Sequence, residues 1–279
     1  MILAPLRGVT VRAFRETYAD ALAAAGFTEA FTPFIPALAG CDPAANAELK
    51  GAAPASGGLK LTPQFIGKDP GALRACLRRI RDLGFDTADL NAGCPVPMVR
   101  NQGRGAGLLR TPDVLRRMLE AGCETMGEGR FSLKVRLGVD RADELLALMP
   151  LVNGFPLRFL TVHARTARQM YAGACDRAAF AAVCAAAKVE VVENGDLDWR
   201  DGRGMVGRSF IRDLGLRPDA GEVLRRYAEV SRRELRGDRP ALGRMKELVS
   251  YWKELPPWRR RWDVVKICRT VDELASVLI

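Results

Sequence analysis

Residues 61–91 read LTPQFIGKDPGALRACLRRIRDLGFDTADLN. The stretch opens with a short β-prone run, Leu61–Ile66, and closes with another, Thr87–Asn91. Between them Leu73, Leu77, Ile80 and Leu83 recur at three- and four-residue spacing, the period of one helix face. Asp69-Pro70 supplies the helix start, because proline suits the first turn, where an N–H has no intrahelical partner. A strand, a helix and a strand in this order imply a parallel pair joined by a right-handed crossover.

The same pattern extends in both directions. Further candidate strands are Ile2–Leu6, Glu29–Phe34, Ser132–Arg136, Phe159–His163 and Val189–Glu193. Thr111-Pro112 opens a second helix, carrying Leu115, Met118 and Leu119. Seven or eight strand–helix units favour a closed α/β fold, a TIM-type (β/α)8 barrel, over an open sheet. After about Leu214 the β-prone runs stop. Leu224, Tyr227, Ala228 and Leu235 form one helical stripe, and Leu242, Met245, Leu248, Trp252 and Leu255 another. Val271, Leu274 and Leu278 predict a last short helix. The chain therefore divides into a barrel over residues 1–214 and a small C-terminal helical domain over residues 215–279. Ala44–Gly58, rich in Ala and Gly, reads as a mobile barrel loop.

Composition narrows the function classes. No run of about 18 uncharged apolar residues is present, so no membrane span is expected. The start, MILAPLRGVTVRAF, lacks the charged, apolar and cleavage regions of a signal peptide. Seven scattered cysteines, without a C-x-x-C pair, argue against zinc and against a disulfide framework, and point to a reducing cytoplasm. The single histidine, His163, excludes a His-paired metal site, so no metal is expected. The net charge is +10, and residues 217–279 carry 15 Lys/Arg against 10 Asp/Glu. Such an excess draws polyanions by long-range attraction and counterion release, although a soluble basic enzyme without a nucleic-acid role has the same charge.

In a parallel barrel, functional groups gather where the strands end. The polar residues at those ends are Gln64, Asn91 with Cys94, Lys134 with Arg136, His163 with Arg165, and Asn194 with Asp196. Amides, a thiol, a lysine and a histidine around one rim suit a planar, carbonyl-rich ligand such as an isoalloxazine. A lysine inside an apolar strand is rarely buried without a task, which singles out Lys134. Cys94 sits in a Gly-Cys-Pro turn rather than on a helix stripe, a place for a reactive thiol. Cys76, Cys123 and Cys184 fall on helices and read as structural. His163 stays open between a ligand role and a hydrogen-bonded core residue. Gly207-Arg208, after the last apolar stretch, suits a phosphate, with backbone N–H groups and a forked guanidinium.

The ordered set of motifs resembles the tRNA-dihydrouridine synthase family. It comprises Ala4-Pro5-Leu6 with Gly8-Val9-Thr10, Gln64-Phe65-Ile66-Gly67, Asp89-Leu90-Asn91-Ala92-Gly93-Cys94-Pro95 and Gly103-Arg104-Gly105-Ala106-Gly107-Leu108-Leu109. It continues with Lys134-Val135-Arg136-Leu137-Gly138, Val162-His163-Ala164-Arg165-Thr166, Gln169-Met170-Tyr171, Asn194-Gly195-Asp196 and Met205-Val206-Gly207-Arg208. The resemblance implies an FMN-bound barrel that reduces a uridine of tRNA to 5,6-dihydrouridine, with NADPH as reductant and the helical domain holding the RNA. It implies Cys94 as proton donor. It implies flavin contacts from Ala4, Pro5, Leu6, Gln64, Lys134, His163, Asn194, Asp196, Gly207 and Arg208. Asn91, Arg136, Arg165 and Tyr171 would face the substrate. A monomer is expected.

Leu6 stands where the family usually has Met, and Val11 where Asp is common. The larger departure is the eight residues Leu197–Gly204 between the seventh and eighth strands, since a crossover needs about a dozen. This seam predicts no helix there, an eighth strand of at most about four residues near Met205-Val206, a barrel open or distorted at that point, and cover from the Leu242–Leu255 stripe with Trp252. Two other readings follow: a degenerate relative that binds RNA or flavin without catalysis, and an FMN barrel oxidoreductase acting on a free small molecule.

Overall fold

The computed structural model describes residues 1–56 and 58–277. Gly57, inside the expected Ala44–Gly58 loop, and Leu278, at the end of the last expected stripe, lie outside the described residues. The barrel strands are β1 (Ile2–Leu3), β2 (Glu29–Phe31 with Ile35–Pro36), β3 (Leu59–Thr62 with Gln64–Ile66), β4 (Ala88–Ala92), β5 (Phe131–Gly138), β6 (Leu160–Thr166), β7 (Val191–Asn194) and β8 (Met205–Val206). All eight pair in parallel with their neighbours, and β8 pairs back to β1 through Ile2↔Met205 and Leu3↔Val206.

Two strands are interrupted at prolines, which cannot donate to a ladder. Pro63 splits β3, and Pro33 lies in the gap of β2. The two strands still run together across the break: Thr32 N donates to Thr62 O at 3.1 Å, and Gln64 N to Thr32 Oγ1 at 3.0 Å. The first half of β2 pairs with the first half of β3, and the second half with the second, which closes the ring. A short antiparallel strand, Ala55–Ser56, adds to β3 from outside. The strand β1 stops at Leu3 rather than Leu6, because Pro5 has no N–H and Thr10 Oγ1 takes the N–H of Leu6 at 2.7 Å.

Helices cover the ring, and α3 and α5 among them lie where the periodicity placed them. α1 (Arg12–Thr17) and α2 (Ala19–Ala24) follow β1, and α3 (Pro70–Asp82) follows β3. α4 (Pro97–Arg100) and α5 (Pro112–Met126) follow β4, α6 (Glu144–Val152) follows β5, α7 (Arg177–Ala186) follows β6 and α8 (Arg208–Leu214) follows β8. Asp69 caps α3 by accepting from Gly71 N and Ala72 N. Thr111 makes no such side-chain bond to α5, which starts on Pro112 alone.

The seam between β7 and β8 is short as expected, yet the barrel is closed there. A single 3-10 turn, Trp199–Asp201, spans it, capped by Asp198 Oδ1 and ended by Gly202 at φ +67°. Trp199 packs edge-on against Phe210 and donates from Nε1 to Asp213 Oδ2 at 3.0 Å, which pins the turn to α8. The uncovered flank shows in the strand itself. Val191 and Glu193 of β7 are half-buried, whereas every residue of β4 and β6 is buried. Arg177 and Arg203 fold over Glu193.

The C-terminal helices are α9 (Ala220–Leu235), α10 (Asp238–Val249), α11 (Pro256–Ile267) and α12 (Val271–Val277). Tyr227 of α9 meets Phe14 and Tyr18 at 6.3 and 6.1 Å between ring centres. Trp252 does not cover the seam flank as expected from the sequence. Its indole donates to Ile211 O at 2.7 Å and lies over Gly215, where a Cβ would meet the ring at 2.6 Å. Trp252 thus packs at the end of α8, one element past the seam, because Gly215 gives a flat surface and Ile211 a carbonyl there. Among the described residues no helix is long and apolar enough to cross a membrane.

Candidate active site

A cavity of about 790 Å³ opens at the C-terminal ends of the strands. Fourteen of the fifteen residues singled out from sequence line it, and Gln64 does not. Gln64 is wholly buried behind Asn91, with its amide used by Asp89 and Asn91, so it supports the cavity wall rather than touching a ligand.

Lys134 projects from β5, and its Nζ donates to Asn194 Oδ1 at 2.7 Å. Burial, reinforced by the Arg136 cation and opposed by Asp89, pulls its pKa down to about 7. His163, on β6, is held neutral by burial and by the surrounding cations Arg136, Lys134, Arg165 and Arg208. Its Nε2 lies 3.2 Å from Arg165 Nη1. A guanidinium only donates, so Nε2 accepts and the ring proton sits on Nδ1.

Arg165 spends its N–H groups on the protein, whereas Arg136 uses Nε and Nη1 and keeps Nη2 on the cavity side of its partners, where it lines the cavity. Arg136 donates to the carbonyls of Gly93, Thr166 and Met170 at 2.9, 3.0 and 2.7 Å. Arg165 donates to Gly173 O, Cys175 Sγ and Asp196 Oδ2, at 2.6, 3.1 and 2.6 Å. Both organise the rim: Arg136 holds the Cys94 loop through Gly93, and Arg165 holds His163 and Asp196. The Asp196 carboxylate is engaged by Arg165 and by Cys175 N. Asn194 Nδ2 donates to Met205 O at 2.8 Å.

Cys94 is nearly buried, and burial pushes its thiol pKa up, against opposing pulls from the Val96 N–H and the Arg136 and Arg7 cations. At neutral pH it is a protonated thiol at the cavity wall. Its backbone N–H donates to Asn91 Oδ1 at 2.9 Å. Gly105, at φ +55°, packs under the loop, where any Cβ would come within 2.8 Å of Cys94 Cβ. That contact explains a glycine in the Gly103–Gly107 motif, which sequence alone left without a role. Ala4 and Leu6 face Gly207 across the β1–β8 junction, where a Cβ on Gly207 would meet them at 3.2 and 3.1 Å.

Tyr171 is half-exposed at the rim, with the Arg208 guanidinium 4.3 Å and that of Arg136 5.3 Å from its ring centre. Arg208 also lies 5.8 Å from the ring of Tyr251, so the C-terminal helices reach the cavity. Sequence reading missed Tyr251 as a cavity residue, and it missed Asp89, although a carboxylate two positions before Asn91 on an apolar strand is the signal that picked out Lys134. No group of three His, Cys, Asp or Glu side chains suited to a metal forms among the described residues.

A closed parallel barrel with a cation-rich cleft and a protonated thiol at its strand ends defines a barrel of the enzyme type. The sequence model of the dihydrouridine synthase family matches residues 2–208, and the chain belongs to that family. A probable tRNA-dihydrouridine synthase of Rhodobacter capsulatus is 33% identical over 201 residues, covering 71% of this chain and 60% of that protein. The tRNA-dihydrouridine synthase B of Vibrio cholerae is 30% identical over 203 residues, again covering 71% and 60%. The tRNA-dihydrouridine(16) synthase of Haemophilus influenzae is 27% identical over 253 residues, 81% of each chain. The match thus spans about three-fifths of the first two relatives. Among solved structures, morphinone reductase in complex with tetrahydroNAD superposes with a TM-score of 0.53 at 14% identity, covering 76% of this chain and 83% of that one, a likeness of fold.

Proposed function

We propose that this chain reduces a uridine of tRNA to 5,6-dihydrouridine, with FMN in the barrel cavity and NADPH as the reductant. The observation that carries the reading is Cys94: a thiol kept protonated by burial, in a loop fixed by Asn91 and Arg136, beside a cleft rich in cations. The residues present fit a flavin. The volume lies in the range of cofactor sites, Lys134 and neutral His163 offer donors to a carbonyl-rich ring, and Arg208 offers charge for a phosphate. When bound, the flavin supplies a hydride for C6 of the uracil ring. Cys94 gives its proton to C5 of the same ring, and the Arg136 and Arg7 cations favour the thiolate left behind. Solvent then returns the proton.

A uridine in folded tRNA must leave its stack to reach such a cavity. The basic segment over residues 215–279 would hold the RNA by its backbone, and Tyr251 brings that segment to the cavity edge. The purified protein should be yellow and should release FMN on denaturation. A colourless protein that takes up no FMN would remove the proposal.

A further inference from the structure

Behind the cavity wall, a chain of hydrogen bonds runs from a buried carboxyl to the Cys94 loop. Asp89, on β4 and fully buried, accepts from Ser132 Oγ at 2.6 Å on Oδ1 and from Gln64 Nε2 at 2.8 Å on Oδ2. Gln64 Oε1 accepts from Asn91 Nδ2 at 2.8 Å. Asn91 Oδ1 accepts from Gly93 N at 3.1 Å and from Cys94 N at 2.9 Å. Of the side chains Ser132, Asp89, Gln64 and Asn91, only Asn91 lines the cavity.

The two ends of this chain fix its direction. Backbone N–H groups only donate, and an ionised carboxylate only accepts. Between such ends, each amide has one orientation that leaves no like atoms face to face. Asn91 Oδ1 uses both lone pairs on the backbone. Its Nδ2 gives one hydrogen to Gln64 and has one left.

We propose that Asp89 is a positioning residue: through Gln64 it fixes Asn91 so that this side chain offers the cavity a hydrogen-bond donor and no acceptor, which selects a ligand presenting a carbonyl oxygen there. Asp89 itself touches no ligand. The identity of that ligand rests on the proposed function, since uracil carries two ring carbonyls where cytosine carries one carbonyl and one amine. Burial raises the Asp89 pKa to about 7, yet protonation preserves the direction. A proton on Oδ1 is accepted by Ser132 Oγ, and Oδ2 still accepts from Gln64.

The test reverses the chain. Asn91→Asp places a second carboxyl against Gln64, so that at roughly pH 8.5, above the Asp89 pKa, one of the two must face the Gln64 carbonyl as a carboxylate or take up a proton at a cost. Combining it with Asp89→Asn restores a partner for every atom, with Gln64 turned round. At that pH Asn91→Asp should lower the thermal midpoint by about 5 °C or more, and adding Asp89→Asn should recover at least half of the loss. A double variant no more stable than Asn91→Asp alone would overturn the coupling. In single turnover on an unmodified tRNA transcript, the recovered double variant should be slower by about 10²-fold, because a carboxylate now meets the uracil carbonyl. Recovered stability with a wild-type rate would overturn the selection. A wild-type protein inactive on the transcript overturns the substrate and the selection together, while the stability cycle still decides the role of Asp89.

Discussion

Lys134 Nζ donates to Asn194 Oδ1 at 2.7 Å, and the same amide donates from Nδ2 to Met205 O at 2.8 Å. One side chain therefore orients the cavity lysine and ties β7 to the two-residue β8. The ladder between those strands has a single register pair, Asn194↔Met205, so this side-chain bond is a large share of what closes the ring. Asn194→Ala strips partners from a buried carbonyl and from Lys134, and should destabilise the protein by about 2–3 kcal/mol. Asn194→Asp keeps the acceptor for Lys134 and loses the donor to Met205. Thermal melts should rank wild type above both variants. An alanine variant as stable as wild type would mean that the junction is held by other contacts.

The pH dependence of stability carries the signature of Lys134. Its pKa is lowered to about 7 from the ordinary lysine value of 10.5. Between those values the unfolded chain holds a proton that the folded chain lacks, so stability rises with pH, by up to about 1.4 kcal/mol per unit. Asp89, raised to about 7, works in the opposite sense below neutrality: there the folded chain holds the extra proton, and stability falls as pH rises from about 4 to 7. Comparison of wild type with Lys134→Met by melts at roughly pH 8 to 9.5, above most of the Asp89 range and with the buried thiols present in both proteins, should show a flatter slope in the variant. Equal slopes would mean that Lys134 is not held in its neutral form.

The exposed arginines of α11 are the expected RNA contacts. Arg259 and Arg260 are exposed, and Arg261 lies with its guanidinium 5.8 Å from the Trp258 ring centre. Neutralising Arg259, Arg260 and Arg261 together should reduce the slope of log K against log salt for tRNA by about two units, given roughly 0.7–0.9 per phosphate contact. A slope unchanged in the triple variant places the RNA on another face.

Much of this architecture is legible in the sequence, and the exceptions share a cause. The α3 start could be read from Asp69-Pro70, because a cap and its helix are local. The short seam could be read from a residue count, because eight residues cannot hold a crossover. The rim residues could be read because parallel strands all end on one side. What stayed hidden was pairing at a distance. Gln64 and Asn91 look alike at the ends of their strands, and only the register Gln64↔Asp89 shows that one lies behind the other. Arg136 and Arg165 read from sequence as cations facing a substrate, and only the structure shows the carbonyls of Gly93, Thr166, Met170 and Gly173 that hold them in place. The need for cover at the seam points to Trp252, whereas Ile211 O on α8 and Gly215 after it hold that ring one element further on.

The central claim is that Cys94 is the acid in a flavin-dependent reduction of an RNA uridine. The direct measurement incubates wild type and Cys94→Ala, each loaded with FMN, with NADPH and an unmodified tRNA transcript, and follows the gain of two hydrogens per modified uridine by mass spectrometry. Wild type should form dihydrouridine. Cys94→Ala should form it slower by about 10²-fold or more, the scale of losing a positioned acid. Its reduction of bound flavin by NADPH should stay near the wild-type rate, since that half-reaction places no proton on C5. Dihydrouridine formed by Cys94→Ala at the wild-type rate would contradict the account.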